Sequence, residues 1–138
     1  MSLFNYIYNI FNTKKKSRLR KRYLGNGYKG EQIACRFLKK CGYEIIDKNY
    51  RCRFGEIDII AVENNVLCFI EVKSRKNTDY GLPEEYVDKR KQEKLITTSY
   101  LYTIAKKSNI ADRRFDVVSV NLENLECSVI KNAFEVNL

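Results

Sequence analysis

Two neighbouring segments rich in isoleucine and valine carry acidic side chains whose spacing would hold a divalent cation. The segments are separated by Asn64 and Asn65, and asparagine tolerates the positive φ angles of a tight hairpin turn. An antiparallel hairpin with this turn places Asp58 opposite Glu71, with Cβ atoms about 5 Å apart. At that distance the two carboxylates would share one cation.

Lys73 lies two residues after Glu71, so on a strand both side chains point to the same face. Facing carboxylates that are partly buried repel each other and are costly to desolvate unless a positive charge lies between them. Mg²⁺ or Mn²⁺ would supply that charge, since both bind oxygen ligands. We therefore expect a catalytic set in which Asp58 and Glu71 are metal ligands and the ammonium group of Lys73 orients a water molecule or stabilises negative charge.

The same register places Glu56 opposite Lys73. The alternative interpretation is a solvated sheet face on which Lys73 forms salt bridges with Asp58 and Glu71 and has no further role. Apolar residues on the same face favour a covered face instead. If the side chains of Asp58 and Glu71 pointed into opposite layers of the fold, the metal-site interpretation would be wrong.

Glu31 is a candidate third acid and metal ligand. It lies three and seven residues before Ala34 and Leu38, on the inward face of a predicted helix. A glutamate there is out of place unless it has a partner, such as a metal ion bound at the hairpin. The alternative is a glutamate that the dipole at the helix N-terminus stabilises.

The composition excludes several other kinds of site. The 138 residues contain no histidine, which excludes Ser-His and Cys-His nucleophiles and His-ligated zinc. The five cysteines form no CxxC pair, and their odd number favours a reducing, cytoplasmic environment over a disulfide framework. No apolar segment approaches the roughly 18 residues of a membrane-spanning helix.

The net charge of +9 is concentrated near the N-terminus, where residues 1–22 hold seven Lys or Arg and no acidic residue. We therefore divide the chain into a basic arm, residues 1–23, and one domain, residues 24–138. The arm favours polyanions, either nucleic acid or an anionic membrane surface. Its apolar residues have the spacing of a short amphipathic helix: Leu3, Tyr6, Ile7, Ile10 and Phe11. A solvated tail without a partner is the alternative.

Hydrophobic periodicity and turn residues predict the elements that position these side chains. The expected order is a helix over 30–41, strands over 43–50, 56–62 and 66–73, a helix over 86–107, and strands over 115–120 and 127–136. Residues 51–55 are expected to be a connection and residues 75–85 a loop. This order predicts an α/β domain with a mixed β-sheet flanked by helices.

Several motifs together resemble the YraN-like family of bacterial predicted endonucleases, over about residues 24–120. They are Gly30-Glu31, Gly42-Tyr43, Asn49 with Arg51, GEIDIIA at 55–61, FIEVKSR at 69–75, Lys91-Gln92 and RFDVV at 114–118. The family is similar to archaeal Holliday junction resolvases and to the restriction-endonuclease-like, PD-(D/E)xK fold. The resemblance implies that Asp58 and Glu71 are metal ligands, that Lys73 is the catalytic lysine and that Glu31 is the acid from the first helix. Ile57 stands where the motif name has proline.

Basic and polar residues beside the hairpin and on the second predicted helix are candidate nucleic-acid contacts: Arg51, Arg75, Lys91 and Gln92. Our first hypothesis is a Mg²⁺- or Mn²⁺-dependent endonuclease that acts on DNA, including branched or junction DNA, as a homodimer. The second is a nucleic-acid-binding module that keeps the nuclease-like fold without turnover. A third, a membrane-surface protein anchored by residues 3–22, leaves the hairpin unexplained.

Overall fold

The computed structural model describes residues 26–76 and 87–135. The predicted basic arm and most of the predicted loop over 75–85 lie outside these residues. The described elements are α1 (Asn26–Lys40), β1 (Glu44–Cys52), β2 (Gly55–Glu63), β3 (Val66–Arg75), α2 (Lys89–Ala105), β4 (Arg113–Asn121) and β5 (Cys127–Ile130). Neither of these two helices has both the length and the apolar character needed to cross a bilayer.

The five strands form one mixed sheet in the order β1-β2-β3-β4-β5. Neighbouring strands are antiparallel except β3 and β4, which are parallel and are joined through α2. A parallel connection needs a long crossover, and a helix commonly supplies it. The predicted α/β domain, a mixed sheet flanked by helices, is therefore confirmed.

Alternating strand residues face two separate cores, one under each helix. Ala34 and Leu38 of α1 pack with strand residues that include Ile59, Cys68 and Ile70. On the other face, Leu95 and Tyr102 of α2 pack with strand residues that include Ile60, Leu67, Phe69 and Phe115. The sheet thus separates the two helices, and its strand ends remain available for polar residues.

Helix α1 ends where the sequence predicts but begins four residues earlier. Gly42 has a φ of +93°, and its N–H donates to the Lys39 carbonyl while the Tyr43 N–H donates to the Leu38 carbonyl. This is the pattern of a glycine-terminated helix, in which a left-handed residue satisfies the last carbonyls. The apolar periodicity begins after Asn26, so it could not locate the true start.

Helix α2 is shorter than the predicted 86–107 because Asp88 caps its N-terminus. The Asp88 Oδ1 accepts a hydrogen bond from the Lys91 N–H at 2.8 Å, which satisfies one of the donors that a helix start leaves without a partner. The cap fixes where the first turn of α2 lies, and Lys91 belongs to that turn.

Several predicted strand limits are wrong. Strand β3 extends to Arg75 instead of ending at 73, and β4 spans Arg113–Asn121 instead of 115–120. The predicted connection over 51–55 is reduced to Arg53 and Phe54, because β1 continues to Cys52 and pairs Arg51 with Glu56. The predicted strand over 127–136 ends at Ile130. There Asn132 takes a φ of 53°, and the Phe134 ring stacks on Phe115 at 4.7 Å between centroids.

Candidate functional site

The hairpin register is confirmed over five residue pairs. Asn64 and Asn65 have φ angles of 49° and 60°, as the predicted turn requires. Pairing runs from Glu63 with Val66 to Ile59 with Ile70. It stops one residue before Asp58 and Glu71, so these two lie where the strands cease to pair.

Asp58 explains why the ladder ends at this position. Its Oδ2 accepts a hydrogen bond from the backbone N–H of Val72 at 2.8 Å. The Asp58 carboxylate thus replaces the β2 backbone carbonyl that would accept this hydrogen bond in a regular ladder. Residues two apart on a regular strand face the same side of the sheet, but Ile57 packs in the α2 core and Ile59 in the α1 core. Strand β2 is therefore irregular at Asp58. Asp58 is only 8% exposed, and its carboxylate is held against β3.

The expected pair of Glu56 and Lys73 lies beyond the paired part of the hairpin. Glu56 forms an ion pair with Arg51 across β1 and β2, at 2.9 Å from Oε2 to Nη2. Lys73 pairs through its backbone with Ser119 on β4. Its side chain is directed to the other acid on its own strand.

Glu71 receives two ammonium groups at one carboxylate oxygen. The Lys73 Nζ lies 3.4 Å from Oε1, and the Lys91 Nζ donates a hydrogen bond to the same atom. Glu71 is 7% exposed, and a carboxylate this buried needs a positive partner. Burial alone would lower the pKa of Lys91, but the hydrogen bond to Glu71 and its negative charge outweigh burial, so the pKa of Lys91 is raised.

The N-terminal part of α1 closes one side of the site because Gly30 lies against β3. A Cβ atom on Gly30 would be 1.7 Å from the Ser74 Oγ and 2.9 Å from the Ser74 Cβ. Only glycine permits this approach without movement, and it brings the buried Glu31 to the end of the hairpin.

The predicted catalytic and metal-binding residues line one pocket of about 330 Å³. Its walls are formed by Gly27, Glu31, Asp58, Glu71, Val72, Lys73, Ser74 and Arg75. Asp58 and Glu71 therefore do not point into separate layers, which was the arrangement that would have excluded a shared site. The alternative of a solvated sheet face is disfavoured because both acids and Glu31 are buried.

The carboxylate oxygens of the pocket are donors of the kind that Mg²⁺ binds. Within the described residues, no group of three or more Asp, Glu, Cys or His side chains is placed to hold a metal. Mg²⁺ is commonly bound by one or two carboxylates together with water and substrate phosphate. Asp58 and Glu71 meet that requirement, and Glu31 lines the pocket without completing a three-ligand group.

The four candidate nucleic-acid contacts have different surroundings. Arg75 is exposed at the pocket wall, whereas Arg51 is paired with Glu56. The Gln92 Nε2 donates to the Val87 carbonyl at 2.9 Å and so holds the segment that precedes α2. Lys91 is bound to Glu71. The sequence predicts Lys91 only as a nucleic-acid contact and does not predict this buried partner.

A second buried polar cluster lies at the other end of the β2–β3 ladder, and the sequence interpretation missed it. Arg114 binds Asp116 through two contacts, Nε to Oδ1 at 2.8 Å and Nη2 to Oδ2 at 3.0 Å. Tyr43 donates to the same carboxylate at 3.0 Å. Glu63 accepts from Lys131 at 2.6 Å. The RFDVV motif at 114–118 therefore includes two residues, Arg114 and Asp116, that bind buried polar groups of the fold and do not line the pocket.

Comparison with known proteins places this arrangement in a family. The family described as "Uncharacterised protein family UPF0102" matches residues 30–120. A UPF0102 protein of Syntrophus aciditrophicus is 45% identical over 115 residues, which cover 82% of this chain and 91% of the relative. One from Cytophaga hutchinsonii is 50% identical over 105 residues, with coverage of 75% and 90%. Since the match spans well over half of the 138 residues, the chain belongs to the uncharacterised protein family UPF0102.

Proposed function

We propose that this protein is a Mg²⁺- or Mn²⁺-dependent endonuclease that hydrolyses DNA phosphodiester bonds, including those of branched or junction DNA. The observation that carries the proposal is one pocket lined by Asp58, Glu71, Lys73 and Glu31. Sequence spacing and motif resemblance point to the same four residues. The resemblance to YraN-like predicted endonucleases and to Holliday junction resolvases supports the same reaction class.

Each residue has a role that follows from its position. Asp58 and Glu71 would hold the metal ion, with Asp58 oriented by the N–H of Val72. When bound, the ion polarises a phosphoryl oxygen and lowers the pKa of a bound water. The Lys73 ammonium, beside Glu71, orients the attacking water and stabilises the negative charge that develops on the phosphate. Water is added across one P–O bond, which leaves a phosphate on one product and a hydroxyl on the other.

Glu31 and Arg75 are expected to act at the borders of the pocket. Glu31 would accept hydrogen bonds from water in the metal's outer shell, since it lines the pocket from α1. Arg75 would bind a DNA phosphate next to the cleaved one, since it is exposed and lies two residues after Lys73. Replacing Lys73 with arginine should reduce activity, because a compact ammonium and a planar guanidinium orient water differently.

The remaining partners extend the proposal. A homodimer would present two pockets to a branched substrate, and the basic arm would add sequence-independent affinity for DNA. Binding of the arm to an anionic membrane surface is a competing role that salt-dependent vesicle binding would reveal. A cytoplasmic location would give access to DNA and keep the thiols reduced.

Cleavage assays with the full chain test this proposal. Fluorescently labelled duplex, single-stranded and four-way-junction DNA would be incubated with Mg²⁺ or Mn²⁺. We expect cleavage by the wild type and its loss in Asp58→Asn and Lys73→Ala. The exposed changes Asp112→Asn and Lys40→Ala are matched controls, because they alter the same residue types away from the pocket.

Equal cleavage by the wild type and both site variants would identify a contaminating nuclease and end the proposal. DNA binding with a steep salt dependence, and no cleavage with either metal, would support the non-catalytic binding module instead.

A further inference from the structure

The cation position at the Glu71 Oε1 is already occupied. Two ammonium groups, from Lys73 and Lys91, meet at its Oε1. Glu71 is also a proposed metal ligand, so the metal ion would be a third cation at the same carboxylate. Like charges at such short distances repel strongly inside a protein. A metal bound at the Glu71 Oε1 would therefore compete with these ammonium groups for the same position.

The structure distinguishes the two lysines. Lys73 lies within β3, where its backbone is paired with β4, and its side chain is 22% exposed. Lys91 lies in the first turn of α2 and its side chain is 41% exposed. A lysine has a long, flexible side chain, so Lys91 can turn towards solvent at little cost. Lys91 is consequently the group that would leave.

We propose that Lys91 occupies the cation position at Glu71 until metal binds, and that its ammonium then moves from Glu71 to a phosphate of the nucleic acid. This inference rests on the proposed function, because it gives Lys91 a place in the loading of that same pocket. Lys91 is a positioning residue here. It keeps the buried Glu71 neutralised before the metal arrives.

The exchange couples metal binding to DNA binding. A phosphate that binds Lys91 releases Glu71 for the metal, and a metal that binds Glu71 releases Lys91 for the phosphate. Such coupling is reciprocal by thermodynamic necessity and typically changes affinity by about tenfold. Divalent metal should therefore bind more tightly when DNA is present, and part of that gain should depend on Lys91.

Calorimetric titration of Mn²⁺ into the DNA-free protein tests the competition. Lys91→Met removes the ammonium but keeps an unbranched side chain, and Lys91→Gln is a second variant in case the first folds poorly. Lys89→Met is the matched control, because it removes the same charge from the same helical turn at an exposed position. We expect either Lys91 variant to bind Mn²⁺ about tenfold more tightly than both the wild type and Lys89→Met.

Repeating the titrations with Ca²⁺ and a DNA oligonucleotide tests the coupling. DNA should raise the metal affinity of the wild type and of Lys89→Met, and should raise it less in the Lys91 variants. Equal or weaker Mn²⁺ binding by the Lys91 variants relative to Lys89→Met would overturn the inference, as would an equal effect of DNA in all variants.

The two proposals can fail separately. If the Lys91 variants bind Mn²⁺ more tightly but no form of the protein cleaves DNA, the exchange stands and the nuclease proposal fails. If cleavage depends on Asp58 while the Lys91 and Lys89 variants bind Mn²⁺ equally, the nuclease stands and the exchange fails. Failure of every form to bind Mn²⁺ would overturn both.

Discussion

Replacement of Gly30 by alanine tests whether the close approach of α1 to β3 is fixed by the absence of a side chain. The added Cβ would lie 1.7 Å from the Ser74 Oγ and 2.9 Å from the Ser74 Cβ. Rotation of the Ser74 hydroxyl would relieve the first contact. The second contact involves an atom attached directly to the backbone, so α1 or β3 would have to move.

Two opposing effects set the magnitude. Alanine is favoured over glycine inside a helix by about 1 kcal/mol, whereas inserting an atom into a packed contact costs about 1–3 kcal/mol. We therefore expect Gly30→Ala to lower the free energy of unfolding by about 1 kcal/mol. Gly27→Ala is the matched control, because a Cβ there has nothing within 4 Å. That change should leave stability unchanged or raise it slightly.

Urea unfolding of a double-mutant cycle separates the two effects. Ser74→Gly removes both atoms that the new Cβ would meet, so in that background Gly30→Ala should stabilise the protein. Its effect should thus change sign between the two backgrounds, with a coupling energy of about 1–2 kcal/mol. Stabilisation by Gly30→Ala in the wild-type background, or the same effect in both backgrounds, would show that the packing argument is wrong.

Two further predictions concern groups outside the pocket. Burial raises the pKa of Cys68 to about 11, so iodoacetamide at neutral pH should label the exposed Cys41 well before Cys68. Mass spectrometry would measure the labelling rate of each cysteine. Equal rates would contradict the burial of Cys68. The hydrogen bond from Lys131, aided by Arg114, lowers the pKa of Glu63 below its ordinary 4.5 despite burial. When the pKa of an acid is lower in the folded state than in the unfolded state, the ionised acid stabilises the protein at pH values above the unfolded-state pKa. This stabilisation is lost as the pH falls through the folded-state pKa. The stability advantage over Glu63→Gln should therefore be constant near neutral pH and shrink below pH 4.5, and an advantage that persists in acid would refute this cause.

The hairpin was predictable because two independent local signals agree on it. Asn64 and Asn65 define the turn, and apolar runs of strand length flank it on both sides. Both faces of these strands are buried, so the turn position sets the register. The point where pairing stops could not be predicted in this way, because it depends on Asp58 accepting the N–H of Val72. A side chain that replaces a backbone partner leaves no periodic signal.

The contact between Lys91 and Glu71 was beyond prediction for a different reason. Periodicity indicates which face of α2 is buried, and Lys91 lies four residues before the buried Leu95 on that face. It cannot indicate how far the helix slides along the sheet, so the partner of Lys91 depends on the crossover between β3 and α2. The same limit applies to the end of β5, where the turn at Asn132 is stabilised by a hydrogen bond to the distant Asp116.

Two buried carboxylates, Asp116 and Glu71, are bound by different kinds of cation. The planar guanidinium of Arg114 binds Asp116 through two parallel hydrogen bonds, a geometry that is rigid and hard to exchange. At Glu71, both partners are lysines, which bind as single flexible point charges. A carboxylate that must accept a metal needs partners that can leave. The lysine partners of Glu71 therefore support the proposed ligand exchange at the pocket, whereas the two-point contact of Arg114 with Asp116 is fixed.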